Sequence, residues 1–349
     1  MPSNDLFTQE EGVLAAADAR LAESPPADPE SRAAFEALLG EYRKLFKTTR
    51  RLMRLSDRNE QELRKLRSAA EAAKATLSRY FSPNLAKELV DDPEFLSIGG
   101  ERRELTFLFT DLADFTALVE RLEPSVIVPL LNQYLDALTQ IVYRHGGTTE
   151  KIVGDAVHAI FGAPLDQPDQ AARAVACALE IDAFAESFRE QKASEDIQLG
   201  VTRIGLHSGP AIVGNFGGEL FFDYTAHGDA INTASRLESV NKHLGTRICV
   251  SAAVAANVPE FSGRPVGTLI LKGKTVGLDV FEPLTPERMQ APATDAYYAA
   301  FRKLESNDPS AKQEFAAIVA HYGEDPLTIF HLIRLLAGES GVRIVFGEK

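Results

Sequence analysis

Asp111 and Asp155 are the residues whose type and context best suit them to chemistry. Asp111 closes an apolar run, Glu104 to Thr110 (ELTFLFT), that reads as a buried strand. Asp155 sits in a tight Gly154-Asp155 turn between two further strands, 148–153 and 156–161. In a sheet where those strands flank the first, the two carboxylates converge at one edge. Carboxylates, with water and phosphate oxygens, are what Mg²⁺ prefers, and two such ions about 3.5–4 Å apart can clamp an in-line phosphoryl or nucleotidyl displacement. Taken alone, an Asp at a strand end is more often a cap or turn residue, so the surroundings decide. Asn232 and Arg236 lie four apart in a helical pattern from Asp229 to Asn241 and so share a face. By themselves they read as a surface pair, and Lys272 as one more exposed lysine.

The elements that position these residues alternate. After the strand 104–110 comes a long helix, Ser125 to His145, stopped by Gly146-Gly147. The two strands joined by Gly154-Asp155 follow, then a helix from Gln170 to about Lys192. Strands are expected at 200–207, 211–215 and 221–224, then the helix 229–241, and strands at 247–250, 266–271 and 279–282. The order βααββαβ with additions is the split βαβ, or ferredoxin-like, plan of an α+β domain. Residues 99–284 form it.

The flanks differ. Residues 1–30 are Ala-rich and acidic and are broken by Pro25, Pro26 and Pro29, which predicts at most a short helix before a loose linker. Residues 31–98 read as a coiled coil and a linker helix, and a heptad runs through the coil until Pro83. Steps of seven give Phe35, Tyr42, Thr49, Ser56, Leu63, Ala70 and Leu77, and Leu38, Leu45, Leu52, Asn59, Leu66, Ala73 and Tyr80. This 3.5-residue period predicts a parallel two-stranded coiled coil with a polar middle, against the alternative of a single amphipathic helix lying on its own domain. A short helix follows from Ser82-Pro83-Asn84 to about Val90, ended by Asp92-Pro93. Residues 285–349 turn helical, with segments 294–306, 310–322 and 327–337; the first two resemble a tetratricopeptide-type hairpin that must bury its apolar face elsewhere.

Composition sets outer bounds. The 349 residues carry 37 Lys and Arg against 50 Asp and Glu, a formal charge of −13, which argues against bulk electrostatic capture of nucleic acid or anionic lipid. Only Cys177 and Cys249 occur, so neither a disulfide framework nor a cysteine-based zinc site is available. No run of eighteen uncharged apolar residues appears, and the start is acidic where a secretion signal is basic. A soluble cytoplasmic protein is expected.

Several segments closely resemble the motifs of class III nucleotidyl cyclases: Phe109-Thr-Asp111-Leu112-Ala-Asp114-Phe-Thr116, Lys151-Ile-Val-Gly154-Asp155, Gly205-Leu-His-Ser-Gly209, and Tyr224-Thr225-Ala-His-Gly228-Asp-Ala-Ile-Asn232-Thr-Ala-Ser-Arg236-Leu-Glu. Leu271-Lys272-Gly273-Lys274 follows at a suitable distance. The resemblance covers about residues 100–284, in the right order. It implies an adenylyl cyclase that converts ATP to 3′,5′-cyclic AMP and pyrophosphate, acting in signal transduction as a head-to-tail homodimer with its sites at the interface. It implies that Asp111, Asp155 and the Leu112 carbonyl bind two Mg²⁺ or Mn²⁺ ions per active site. It also assigns Arg236 to the α-phosphate, Asn232 to the ribose, and Lys272 to the β- and γ-phosphates.

Base choice rests on Lys151 and Thr225. Lys151 only donates, which suits adenine N1 and opposes the N1–H of guanine. The Thr225 hydroxyl accepts from adenine N6 but can also rotate to donate to guanine O6. The alternatives are a guanylyl cyclase and a catalytically silent cyclase-fold nucleotide-binding scaffold. Asp114 departs from the pattern, standing where Gly is frequent, and His227 replaces a usually apolar residue; His207 reads as structural, and Gly217-Gly218-Glu219-Leu220 as a turn. The regulatory input stays open between a partner protein, an ion such as bicarbonate, and none.

Overall fold

The computed structural model describes residues 7–80, 82–91, 95, 97–218 and 221–346. The expected helix stop at Asp92-Pro93 and the residues Glu219-Leu220 of the expected turn lie outside them. The chain divides into two compact units, Met1–Leu77 and Ser78–Lys349.

In the first unit the N-terminal segment is more ordered than its prolines suggest. Helix α1 (Thr8–Glu23) runs antiparallel to the long helix α2 (Pro29–Tyr80). Phe7 meets Phe46 edge-on at 5.5 Å, Leu39 is buried, Arg43 pairs with Asp18, and Arg50 lies 2.6 Å from Glu11. This apolar contact with its flanking ion pairs gives α1 the tertiary support a short isolated helix lacks. Leu38, Leu45, Leu52, Leu63 and Leu66 of the heptad are exposed, each by more than 60%.

The second unit opens with α3 (Pro83–Asp91) and β1 (Gly99–Leu112), then α4 (Phe115–Arg121), α5 (Pro124–Arg144), β2 (Thr148–Val153), β3 (Ala156–Phe161) and α6 (Gln170–Ala193). Next come β4 (Thr202–Gly217), β5 (Phe222–His227), α7 (Asp229–Leu244), β6 (Ile248–Ser251), α8 (Ala252–Ala255), β7 (Gly263–Ile270) and β8 (Leu278–Pro283). The last elements are α9 (Pro286–Met289), α10 (Pro292–Glu305), α11 (Ala311–Tyr322), α12 (Pro326–Leu336) and β9 (Arg343–Val345). One sheet runs β2-β3-β1-β4-β6-β8-β7-β9, with β5 paired to one end of β4. Its first four strands keep the ferredoxin-like order. The β2–β3 hairpin lies wholly to one side of β1 and β4 to the other, so β3 alone of the hairpin touches β1.

Leu105 to Thr110 are buried on both faces, as a nearly unbroken apolar run in a central strand requires. Leu108, Leu112, Ile204 and Leu206 meet α5 and α6 on one face, while Phe107 and Phe109 meet Ala230 and Ala234 of α7 on the other. The stop of α5 is visible in the chain: Gly146 adopts φ +77°, and the Gly147 N–H donates to the Val142 carbonyl.

The strand boundaries depart from the sequence expectation. The strands at 200–207 and 211–215 are one continuous strand, β4, in register with β1 from Thr202↔Leu112 to Asn215↔Gly99. Pro210 is tolerated because β4 pairs on its other side with β6 only over 204–206 and with β5 only over 212–217. The C-terminal helices bury their apolar faces, as the hairpin must, against the rest of the same unit. Tyr297, Phe301, Phe315 and Leu327 share a core with Leu237 and Leu244 of α7 and with Leu269 and Val280 of the sheet, and β9 pairs parallel with β7. Buried Arg264 on β7 locks the joint, with Nε 2.7 Å from Glu282 and its two Nη atoms 2.9 and 2.8 Å from Asp325 at the start of α12.

Candidate active site

Asp111, at the end of β1, and Asp155, in the β2–β3 turn, are brought together as the sequence predicts. Gly154 makes that turn at φ +64°. Thr110 Oγ1 accepts from the Val157 amide at 2.9 Å, tying the hairpin to β1, and Asp155 Oδ2 accepts from the Leu112 amide at 2.8 Å. Burial and the nearby Asp155 charge push the Asp111 carboxyl above its usual range, and Arg203 opposes them from 3.8 Å. Two carboxylates held this close repel each other, and a divalent cation relieves that repulsion. Among the described residues no group of three or more His, Cys, Asp or Glu could hold a metal. Two carboxylates and a carbonyl suit Mg²⁺, which takes its remaining ligands from water and substrate phosphates.

Lys151 on β2 and Thr225 on β5 also converge. Lys151 Nζ lies 2.9 Å from Asp223 Oδ2, and that hydrogen bond raises the lysine pKa, with the charges of Asp223 and Glu150 adding to it. Thr225 donates its hydroxyl proton to Glu150. The cause is a bulge. Thr149 pairs with Ala159 and Lys151 with His158, leaving Glu150 as the extra residue in β2. Such a bulge re-aims side chains that strict alternation would send to opposite faces.

Helix α7 carries the third group. Gly205 of β4 brings the helix backbone close, since a Cβ there would lie 2.1 Å from the Glu238 nitrogen. Asn232 is exposed and Arg236 half-buried on the helix. Gly273 places the turn 271–274 beside Arg236: a Cβ on it would lie 3.7 Å from Arg236 Nη2. Lys274, from the same turn, pairs with Asp229. Among the described residues no hydrogen bond or ion pair joins Asp111 or Asp155 to Asn232 or Arg236.

Residues 100–282, just over half of the chain, match the model of the adenylate and guanylate cyclase catalytic domain. The chain belongs to this family. Adenylate cyclase 1 of Rhizobium meliloti (strain 1021) is 35% identical over 208 residues, which are 59% of this chain and 31% of that protein. An adenylate cyclase of Anabaena cylindrica is 30% identical over 188 residues, 52% of this chain and 36% of that one. The chain thus spans about a third of the length of these curated relatives. Among solved structures, an adenylyl cyclase from P. aeruginosa is 31% identical with a TM-score of 0.51, matching 56% of this chain and 100% of that one. A bacterial light-regulated adenylyl cyclase is 26% identical with a TM-score of 0.56, over 64% of each chain.

The departures of this cyclase domain from the family pattern have local explanations. Asp114 adopts φ +58°, the left-handed conformation that Gly enters freely and Asp tolerates, and its side chain is exposed. His227 packs edge-on against Phe216 at 4.4 Å. His207 Nδ1 is 2.8 Å from Ser251 Oγ, and burial holds its pKa down to about 4. Sequence reasoning missed Arg203, Asp223 and Glu150. Arg203 was findable, because it falls two residues before the Gly205 motif on the strand beside Asp111. Glu150 was not, because its direction depends on the bulge.

Proposed function

We propose that this protein is an adenylyl cyclase, converting ATP to 3′,5′-cyclic AMP and pyrophosphate at sites shared between two copies of the chain. The observation that carries the choice of base is Lys151, a donor-only group beside Thr225. It matches the N1 acceptor of adenine and opposes the N1–H of guanine. The relatives named as adenylate cyclases support the same choice.

Asp111, Asp155 and the Leu112 carbonyl hold Mg²⁺ or Mn²⁺ in this reading. When bound, two such ions lower the pKa of the ribose 3′-hydroxyl and offset charge on the departing pyrophosphate. Asn232 orients the ribose so that its 3′-oxygen faces the α-phosphorus. The Arg236 guanidinium meets the charge that builds on the α-phosphate, where a fixed planar donor is most effective. Lys272 holds the β- and γ-phosphates as a point charge, and Lys151 and Thr225 fix the adenine.

A homodimer is supported by two features. The groups on α7 make no polar contact with the carboxylate pair of their own chain among the described residues, and the leucines of α2 form an exposed heptad stripe that a second α2 would cover as a coiled coil. Among the described residues no helix is long and apolar enough to cross a membrane, in keeping with a cytoplasmic enzyme. Chromatographic identification of the product from pure protein given Mn²⁺ with ATP or with GTP tests the proposal. Cyclic AMP from ATP is expected; cyclic GMP from GTP as the sole product, or no cyclic product from either, refutes it.

A further inference from the structure

Glu150 faces β5 through the bulge in β2, and its carboxylate meets that strand twice. Oε1 accepts from the Thr225 hydroxyl and lies 3.4 Å from the Ala226 amide nitrogen. Thr225 is buried, so water does not compete freely for its proton. A hydroxyl has one proton and two acceptor lone pairs. With the proton committed to Glu150, Thr225 Oγ1 turns only lone pairs toward any other neighbour. Lys151, beside it, gives one of its three protons to Asp223 and keeps two for a ligand.

We propose that Glu150 is a specificity-determining residue: by holding the Thr225 proton it converts an ambivalent hydroxyl into an acceptor, which takes the N6 amino group of adenine and rejects the O6 carbonyl of guanine. The inference rests on the assignment of Lys151 and Thr225 to the base. It supplies the discrimination that threonine alone lacks, through two oxygens facing each other with no proton between them. Unpaired polar contacts of this kind are the strongest source of selectivity at a binding site. The carboxylate acts through Thr225 and has no need to touch the nucleotide.

The test uses the full-length protein with Mn²⁺ and two probes that cannot cyclise, 3′-deoxy-ATP and 3′-deoxy-GTP, titrated calorimetrically, alongside turnover of ATP and GTP. The parent is expected to bind the adenine probe more tightly. Glu150→Leu frees the hydroxyl to rotate, and the preference should shrink about tenfold, through weaker adenine and stronger guanine binding. Glu150→Gln, whose amide can donate to Thr225 Oγ1, should move the ratio the same way and covers the case in which the leucine variant does not fold. Adding Thr225→Asp to Glu150→Leu restores an acceptor that has no proton to hold, and the preference should return. A merely structural role for Glu150 would lower both affinities together and leave the ratio alone. An unchanged ratio in both variants, or a parent that binds the two probes equally, overturns the inference. If the parent makes no cyclic AMP yet its probe ratio collapses in the Glu150 variants, the inference stands and the catalytic assignment fails.

Discussion

A methyl group added at Gly205 reaches the proposed chemistry through packing alone. The new Cβ of Gly205→Ala would lie 2.1 Å from the Glu238 nitrogen and 2.3 Å from the Ala234 carbonyl oxygen, both on the backbone of α7. Comfortable contact needs about 3.5 Å, so the helix must retreat by roughly 1 Å. Neither neighbour is a flexible side-chain end that can swing aside. Overpacking of this kind costs about 1–3 kcal/mol of stability. The larger effect is on turnover, because Asn232 and Arg236 ride on α7, and a displacement of about 1 Å in positioning groups can cost on the order of 100-fold. The assay is cyclic AMP formation at a temperature where circular dichroism shows the variant folded, with a thermal melt beside it. Gly99→Ala serves as the control, since a Cβ there meets nothing within 4 Å. Activity of Gly205→Ala within twofold of the control would refute the claim that this contact sets the position of the helix.

Asp155→Ala and Asn232→Ala should each be nearly inactive as homodimers, while a heterodimer isolated with two affinity tags should regain about half of parental activity, one intact site in two. A heterodimer no more active than either homodimer would make each chain a self-contained catalyst. Arg264→Ala leaves Glu282 and Asp325 with only the more exposed Arg288 beside them, and urea unfolding should show a loss on the order of 3–5 kcal/mol; a loss below about 1 kcal/mol would mean that the Arg264 ion pairs do not hold the C-terminal helices. His331 is enclosed by Phe301, Phe315, Phe330 and Tyr297, and burial, aided by the Arg334 and Arg264 charges, holds its pKa down to about 3. Its folded pKa is below the unfolded value, so the unfolded chain binds the extra proton. Its contribution is intact above about pH 6.5 and falls by about 1.4 kcal/mol per pH unit from there toward pH 3. The difference in stability between the parent and His331→Leu should track that slope, and a difference independent of pH would show that the imidazole takes up its proton as readily in the fold as in the unfolded chain.

Much of the architecture was legible because local signals agreed with the final packing. The run 104–110 is apolar because both faces of β1 are covered, and Gly146 ends α5 because the chain must turn left-handed there. What escaped was set at a distance. The proline in β4 reads as a break until the gap between its two partners on the far edge is known. Helix α1 owes its order to Phe46 and Arg43 more than to its own sequence, and β9 is a three-residue strand whose signal is too short to register. The site divides in the same way. Asp111, Asp155, Asn232 and Arg236 stand in recognisable strings, whereas Glu150 and Asp223 matter through partners 75 and 72 residues away in the chain.

The core beneath α7 is completed by residues 297–345, which follow that helix in the chain. Thr268 pairs with Arg343, and Tyr297, Phe315 and Leu327 close over Leu237 and Leu269. A ribosome delivers these segments after α7 and after the strands that carry Asp111 and Asp155. Until they emerge, α7, which carries Asn232 and Arg236, lacks this part of the core beneath it. Contacts between α7 and these later segments join residues far apart in sequence, such as Leu237 and Leu327, and contacts of such long separation form slowly.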